Sequence, residues 1–259
     1  MLSKNKIKEI SALSDKKERQ QQQLFIAEGR KLIADLLHSS ITVSSIYSTA
    51  ENLSFFDTQK RNNAVVTEEV SEAEIKRISQ LKTPQGCLAV CQIPVHTIPE
   101  NAGFEDMVLC LDNIQDPGNF GTLLRMADWF GISDVFCSPG TADAFNPKVV
   151  QATMGAIGRI RIHYLPLYPF LQMKNEQHLP ILGTYLDGDN LYSSTLPQNG
   201  LLVFGNEGKG IQDELSSLMT QKITIPGFHK GKIKPESLNV SIAAAIVVSE
   251  FRRQQIKKP

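Results

Sequence analysis

The chain has 259 residues, with 27 Lys and Arg against 27 Asp and Glu. That length suits one large or two ordinary domains, and two is the expectation; the balanced charge leaves no global field drawing the molecule to nucleic acid or membrane. Four cysteines with no CxxC pair and no histidine array argue against zinc and for buried, reduced thiols in a cytoplasmic protein. The longest apolar run, Ile242 to Val248, is too short to span a bilayer, and MLSKNKIKEI does not read as a signal peptide.

Lys4 to Gln23 is polar and helix-prone, and residues 1 to 31 carry eight basic side chains against four acidic. Such a local bias suits phosphate contact, though solvated helix faces explain it equally well. Leu24 to Ile26 predicts a short strand, and Leu32, Ile33, Leu36 and Leu37 share one face of a helix over Arg30 to His38. Val43 to Tyr47 and Ala64 to Thr67 predict strands, Ser71 with Glu74 opens a helix through a capping box, and Cys87 to Ile93 closes this small α/β unit as a strand. Pro94, Pro99, Asn101 and Gly103 then mark a linker, so the boundaries fall at 1–95, 96–105 and 106–259.

Met107 to Leu111 is a strand of the buried, parallel type, followed by DNIQDPGNFGTLLRMADWFGI. This predicts a turn at Pro117-Gly118, a helix from about Asn119 to Phe130 and a glycine stop. Further strands are expected at Asp134 to Cys137, Ile160 to Tyr164, Ile181 to Leu186, Leu201 to Phe204 and Lys222 to Ile225, with helices between several of them. The alternation argues for a parallel, layered α/β domain. Neither GxGxxG at the first turn nor GxxxxGK[ST] occurs, so dinucleotide and P-loop readings lose their main support. The histidines show no ligand spacing and no serine sits in GxSxG, so no metal site or acyl transfer is expected.

The last fifth of the chain carries three further signals: LLVFGNEGKGI, TIPG and ESLNVSIAAAI. Glycines at 205, 208 and 210 permit close approach of the main chain to a ligand. Pro226 holds Ile225 extended, and Asn239 is a good N-cap for an apolar helix over Val240 to Phe251. A tight turn and a capped helix in an ordinary core account for any one of these signals alone.

Taken in order with DPGNFGTLLR, these motifs resemble the SpoU (TrmH) family of RNA 2′-O-methyltransferases, of the SPOUT class. The resemblance implies a SPOUT-type parallel sheet with a deep C-terminal trefoil knot, S-adenosylmethionine as cofactor, and a homodimer. It places Arg125, Asn119 and Glu207 at the catalytic centre. Main-chain groups around Gly205, Ile225 and Leu238 would hold the cofactor, with Thr184 and Asn239 lining its pocket. A guanidinium ordinarily stays charged, so positioning phosphate and lowering the hydroxyl pKa is the safer role for Arg125 than general base. The segment Phe145 to Ala156 matches a region of packing and dimer contacts. FIAEGRKLIADLL and LKTPQGCLAVCQIP resemble the L30e-like substrate-binding domain that precedes the catalytic domain in many SpoU enzymes, which makes Arg30 and Lys82 candidates for RNA contact and favours ribosomal RNA over transfer RNA. One departure is the long GFHKGKIKP connection, whose His229, Lys230, Lys232 and Lys234 suit either an RNA clamp or a solvated loop. The rival reading is a ribosome-assembly factor that binds RNA without methyl transfer.

Overall fold

Ser3 and Asp15 divide the basic N-terminal stretch into two helices where the composition suggests one. The computed structural model describes residues 1–59, 65–228 and 236–256. In it, Ser3 Oγ accepts from Lys6 N at 3.1 Å and opens α1 (Lys4–Ala12), while Asp15 Oδ1 accepts from Lys17 N at 2.7 Å and opens α2 (Lys16–Gln22). Each side-chain oxygen satisfies an N–H that the helix start leaves without an internal partner. Gln23 ends α2 in the left-handed region at φ 54°.

The chain continues through β1 (Leu24–Glu28), α3 (Arg30–Leu37), β2 (Val43–Ser48), α4 (Ala50–Gln59), β3 (Val66–Glu69), α5 (Glu72–Ile78) and β4 (Cys87–Gln92). The expected start of β3 at Ala64 lies outside the described residues. The four strands form one sheet in the order β1-β4-β2-β3, with β4 antiparallel to β1 and β2, and β3 parallel to β2. One apolar layer beneath it includes Ile7 and Ile10 of α1, Ile75 and Ile78 of α5, and Ile26, Leu88 and Val90 of the sheet. The predicted capping box at Ser71 and Glu74 is present, and Glu74 Oε1 also accepts from Leu2 N. These three hydrogen-bond donors, two of them at Ser71, hold the Glu74 carboxyl down to about 2.

The second half runs β5 (Met107–Leu111), α6 (Pro117–Trp129), β6 (Asp134–Cys137), α7 (Pro147–Thr153), β7 (Arg161–Tyr164), α8 (Leu167–Glu176), β8 (Ile181–Asn190), β9 (Gly200–Phe204), α9 (Asp213–Ser216), β10 (Gln221–Thr224) and α10 (Val240–Ile256). Its six strands pair in the order β10-β8-β9-β5-β6-β7, every pair parallel. β5 and β9 are buried at every position, as a sheet covered on both faces requires. Val108, Cys110, Phe136, Leu201 and Val203 pack with Leu167, Phe170 and Leu171 of α8 and Leu215 of α9.

By contacts the chain divides into two units, Met1–Val95 with Asp143–Arg159, and His96–Ala142 with Ile160–Pro259. The excursion over 143–159 therefore packs with the N-terminal sheet: the rings of Phe25 and Phe145 lie 5.0 Å apart, and buried Arg19 donates to Asp143 Oδ2 from Nε at 3.1 Å and from Nη2 at 2.5 Å. The first unit runs to Val95 in this part of the chain, and residues 96–105 belong to the second.

Candidate active site

The site is assembled on the C-terminal edge of the parallel sheet, where ligands of open α/β sheets generally lie. Loops 112–116 and 205–212 leave that edge from β5 and β9, and residues 225–228 follow β10 there. The first of them shows how local chemistry frees a functional group. Asp116, and not Asn119, caps α6: its Oδ1 accepts from Asn119 N at 2.7 Å, and Pro117 occupies the first turn, where its missing N–H costs nothing. The helix thus begins two residues earlier than expected, and the Asn119 side chain is left to act elsewhere.

It does so across three loops. Asn119 Nδ2 donates to Glu207 Oε1 at 2.9 Å, and Asn239 Nδ2 donates to Asn119 Oδ1 at 2.8 Å. Asn239 Oδ1 accepts in turn from Ser241 N at 3.0 Å, Ser241 Oγ at 2.6 Å and Ile242 N at 3.3 Å, which is the expected N-cap of α10. A single relay of side-chain amides and one carboxylate therefore joins residues 119, 207 and 239. At their far ends the two helices are joined again, where Arg252 Nε donates to Phe130 O at 2.9 Å, so α6 and α10 run side by side in the same direction.

The loop after β9 is closed on itself by Asn206 N to Gly210 O at 3.0 Å and Gly210 N to Asn206 O at 2.9 Å. Gly205 has to be glycine here, because a Cβ would sit 2.2 Å from both Gly210 C and Ile211 N. Beneath the loop lies fully buried Asp112, whose carboxylate accepts from Gln212 N at 2.9 Å, Gln212 Nε2 at 2.6 Å and Asn113 Nδ2 at 2.9 Å. Asn206 Nδ2 adds a bond to Asn113 O at 2.8 Å. Asp112, Asn206 and Gln212 were invisible to motif spacing as partners, since bonds over 93 to 100 residues of separation leave no local pattern.

The remaining expected residues are less tightly joined. Thr184 is half-buried on β8 and its Oγ1 lies 3.4 Å from Val203 O, two residues before Gly205. β8 itself runs on to Asn190, past the expected end at Leu186, because its pairing with β10 jumps from Gly183 to Asp189 and the residues between bulge outward. Ile225 follows β10 and is half-buried, whereas Leu238 is 50% exposed. The N–H groups of Gly205, Ile225 and Leu238 donate to no protein acceptor among the described residues. Clefts of about 440 and 260 Å³ open among the described residues of this unit, and these three residues line neither of them. His229, Lys230, Lys232 and Lys234, between Ile225 and Leu238, lie outside the described residues. Arg125 is exposed, about 9 Å along α6 from Asn119 on the helical rise, and pairs with no carboxylate among the described residues. Among the described residues, no group of three or more His, Cys, Asp or Glu is placed to hold a metal ion.

Open main-chain donors and a glycine cradle suit an adenosyl ligand, which needs hydrogen bonds to its base edge and backbone close to its ring. Known proteins point the same way. Residues 106–249 match the SpoU rRNA Methylase family, and residues 4–89 match the MRM3-like substrate binding domain. The chain is 31% identical over 249 residues to the 23S rRNA (guanosine(2553)-2′-O)-methyltransferase RlmP of Bacillus subtilis, covering 95% of this chain and 96% of that one. It is 33% identical over 168 residues to the 23S rRNA (guanosine-2′-O-)-methyltransferase RlmB of Neisseria meningitidis, covering 64% of this chain and 66% of the relative. Among solved structures, a TrmH-family protein from Porphyromonas gingivalis superposes with a TM-score of 0.87 at 39% identity, over 98% of this chain and 99% of that one. An AdoMet-bound rRNA methyltransferase from Sinorhizobium meliloti superposes at 0.84 and 27% identity, over 98% and 97%. With its motif loops tied together as described and its whole length shared with such relatives, this chain belongs to the SpoU rRNA methylase family.

Proposed function

We propose that this protein methylates a ribose 2′-hydroxyl of ribosomal RNA, using S-adenosylmethionine. The observation that carries the reading is the Asn239–Asn119–Glu207 relay, which unites all three family motifs on one edge of the parallel sheet. When bound, S-adenosylmethionine supplies an electrophilic methyl group on a sulfonium centre. The open amides of Gly205, Ile225 and Leu238 are the groups that would hold it, with Thr184 and Asn239 beside it. The protein's task is then to align the ribose oxygen for displacement and to assist loss of its proton, and alignment alone supplies much of such an acceleration.

Arg125 stands on the exposed face of α6 as a charged donor for the RNA phosphate next to the target ribose. Asn119 and Glu207, fixed on each other, present a carboxylate oxygen and an amide edge toward the ribose. Residues 1–95 form the RNA-binding part and 106–259 the catalytic part, joined through 96–105, an assignment supported by the substrate-binding match over 4–89. The deep trefoil knot and the L30e-like identity of the first sheet belong to the same reading, supported by the likeness of the whole chain to TrmH-family structures. So does a homodimer, supported by the exposure of Trp129 (84%) on α6 and Ile242 (54%) on α10. A ribosomal substrate places the enzyme in the compartment where ribosomes are made, and no described helix is long and apolar enough to cross a membrane.

The test is transfer of labelled methyl from S-adenosylmethionine to ribosomal RNA of cells lacking the protein. Arg125→Ala is expected to lower the rate at least roughly tenfold while cofactor affinity stays unchanged. A protein that binds ribosomal RNA but neither binds S-adenosylmethionine nor labels the RNA would instead be an assembly factor.

A further inference from the structure

Asp112 follows β5 and is fully buried, yet no Lys or Arg among the described residues pairs with it. A buried carboxylate without a countercharge is costly unless hydrogen bonds satisfy it. Three donors do so: Gln212 N reaches Oδ2 at 2.9 Å, while Gln212 Nε2 and Asn113 Nδ2 reach Oδ1 at 2.6 and 2.9 Å. Its own N–H donates to Phe204 O at 2.8 Å, which fixes the residue against the end of β9. These surroundings call for acceptors, and a carboxylate offers nothing else. An amide in its place would set N–H against N–H.

The bonds end on the loop over 205–212. Gly205, Gly208 and Gly210 bring that loop no side chains to pack and leave its backbone the widest freedom. Apart from the Asn206–Gly210 bridge, its shape is imposed from outside. Asp112 holds it at Gln212, and Asn113 holds it at Asn206, whose Nδ2 donates to Asn113 O at 2.8 Å. Asn206 Oδ1 passes the constraint on by accepting from Gly208 N at 3.0 Å and Lys209 N at 3.1 Å. Asn113 is itself held, in the left-handed region at φ 54°, with its N–H on Ser138 Oγ at 2.8 Å. Gln212 stands at the N-cap of α9 but makes no side-chain cap there, so its amide is committed to Asp112. Between the two anchors lies Glu207, and just ahead of them the open N–H of Gly205.

We infer that Asp112 is a positioning residue of the methyl-transfer site: through Gln212 and Asn113 it sets where the Gly205 N–H meets the cofactor and where Glu207 meets Asn119. The inference rests on the methyl-transfer reading above. Asp112 touches no substrate. It acts by ordering a glycine loop before the cofactor arrives, so that binding does not have to order it.

The matched donors and acceptors allow the role to be tested. Asp112→Asn puts an amide N–H against Gln212 or Asn113, and Gln212→Glu puts two carboxylates in contact. The double variant restores one donor to one acceptor with the roles exchanged. Amide hydrogen exchange over residues 205–212, measured without cofactor, should quicken at least roughly tenfold in Asp112→Asn and return towards the unaltered rate in the double variant. S-adenosylmethionine affinity by calorimetry should weaken roughly tenfold in Asp112→Asn and about threefold in Gln212→Glu, and recover to within about twofold in the double variant. Values of kcat should fall with it, while KM for ribosomal RNA stays within about twofold. A residue that only stabilised the fold would lower the active fraction, which urea titration reports, and leave the affinity of the folded molecules unchanged. Gln212 is exposed, so Gln212→Glu carries the decision where Asp112→Asn fails to fold. Unaltered exchange and affinity in either single variant overturn the positioning role, as does a double variant that binds S-adenosylmethionine no better than the weaker single one. Unaltered protein that neither binds S-adenosylmethionine nor labels ribosomal RNA overturns the methyl-transfer reading, and the role of Asp112 in it.

Discussion

Asn119 reaches Glu207 because Asp116 has taken over the duty of capping α6. That division separates the effects of two neighbouring substitutions. Asn119→Ala leaves the cap intact and should change stability by no more than about 0.5 kcal/mol, while removing the group that orients Glu207; methyl transfer should fall at least tenfold, about 1.4 kcal/mol in the barrier. Asn239→Ala breaks the same relay but also strips the N-cap from α10, so it should show the rate loss together with about 1 kcal/mol of destabilisation in urea titration. Equal stabilities for the two variants would show that the amide of Asn239 is not what caps the helix. A second buried carboxylate sets the acid limit of the fold. Burial alone would push the Asp134 carboxyl up, yet hydrogen bonds from His163, 2.9 Å away, and from Arg161 hold it down to about 2. A depressed acid stabilises the fold above its unfolded value and loses that contribution as pH falls through the folded one, so the window runs from about pH 4 down to about pH 2. Asp134→Asn should therefore cost on the order of 2 kcal/mol at pH 7 and flatten the acid limb of the stability profile.

At the scale of elements, the motif order in the sequence made the β9 loop and the start of α10 legible, because glycines, Pro226 and an N-cap asparagine each impose a local geometry. What joins those elements was not legible. The Asp112 node, the Asn206 bond and the Arg252 clamp to Asp106 at 2.8 and 2.9 Å are bonds between residues far apart in the chain, and no periodicity encodes them. The break between α1 and α2 was missed for another reason: it uses neither glycine nor proline, only the Asp15 cap. The β9 loop offers a sharp test of how much its glycines matter. Backbone lies on the far side of Gly205, at 2.2 Å from where a Cβ would be, so nothing flexible can move aside. Gly205→Ala should open the Asn206–Gly210 bridge and weaken S-adenosylmethionine binding at least tenfold by calorimetry, about 1.4 kcal/mol. At Gly208 the nearest atom is Asn206 Oδ1 at 3.7 Å, and Gly208→Ala should bind within about twofold of the unaltered protein.

For the whole molecule, zero net charge and an RNA substrate are reconciled by where the charges sit. Lys4, Lys8, Arg30, Lys31 and Lys82 are all exposed on the N-terminal unit, and Arg30 is braced with its guanidinium 4.4 Å from the centre of the Phe55 ring. The composition predicted this bias without saying whether it serves a ligand or only solvation, and the fold alone does not separate the two, because both leave lysines in water. Salt dependence does. Each phosphate neutralised by a basic side chain releases condensed counterions, adding about 0.7 to 0.9 to the slope of log K against log salt. A solvated lysine with no phosphate partner adds almost nothing to that slope. Replacing Arg30 and Lys82 together by Gln should lower the slope for ribosomal RNA by between one and two, weaken binding at low salt, and leave S-adenosylmethionine affinity untouched. An unchanged slope would move the RNA path off this face and leave its charges to solvent.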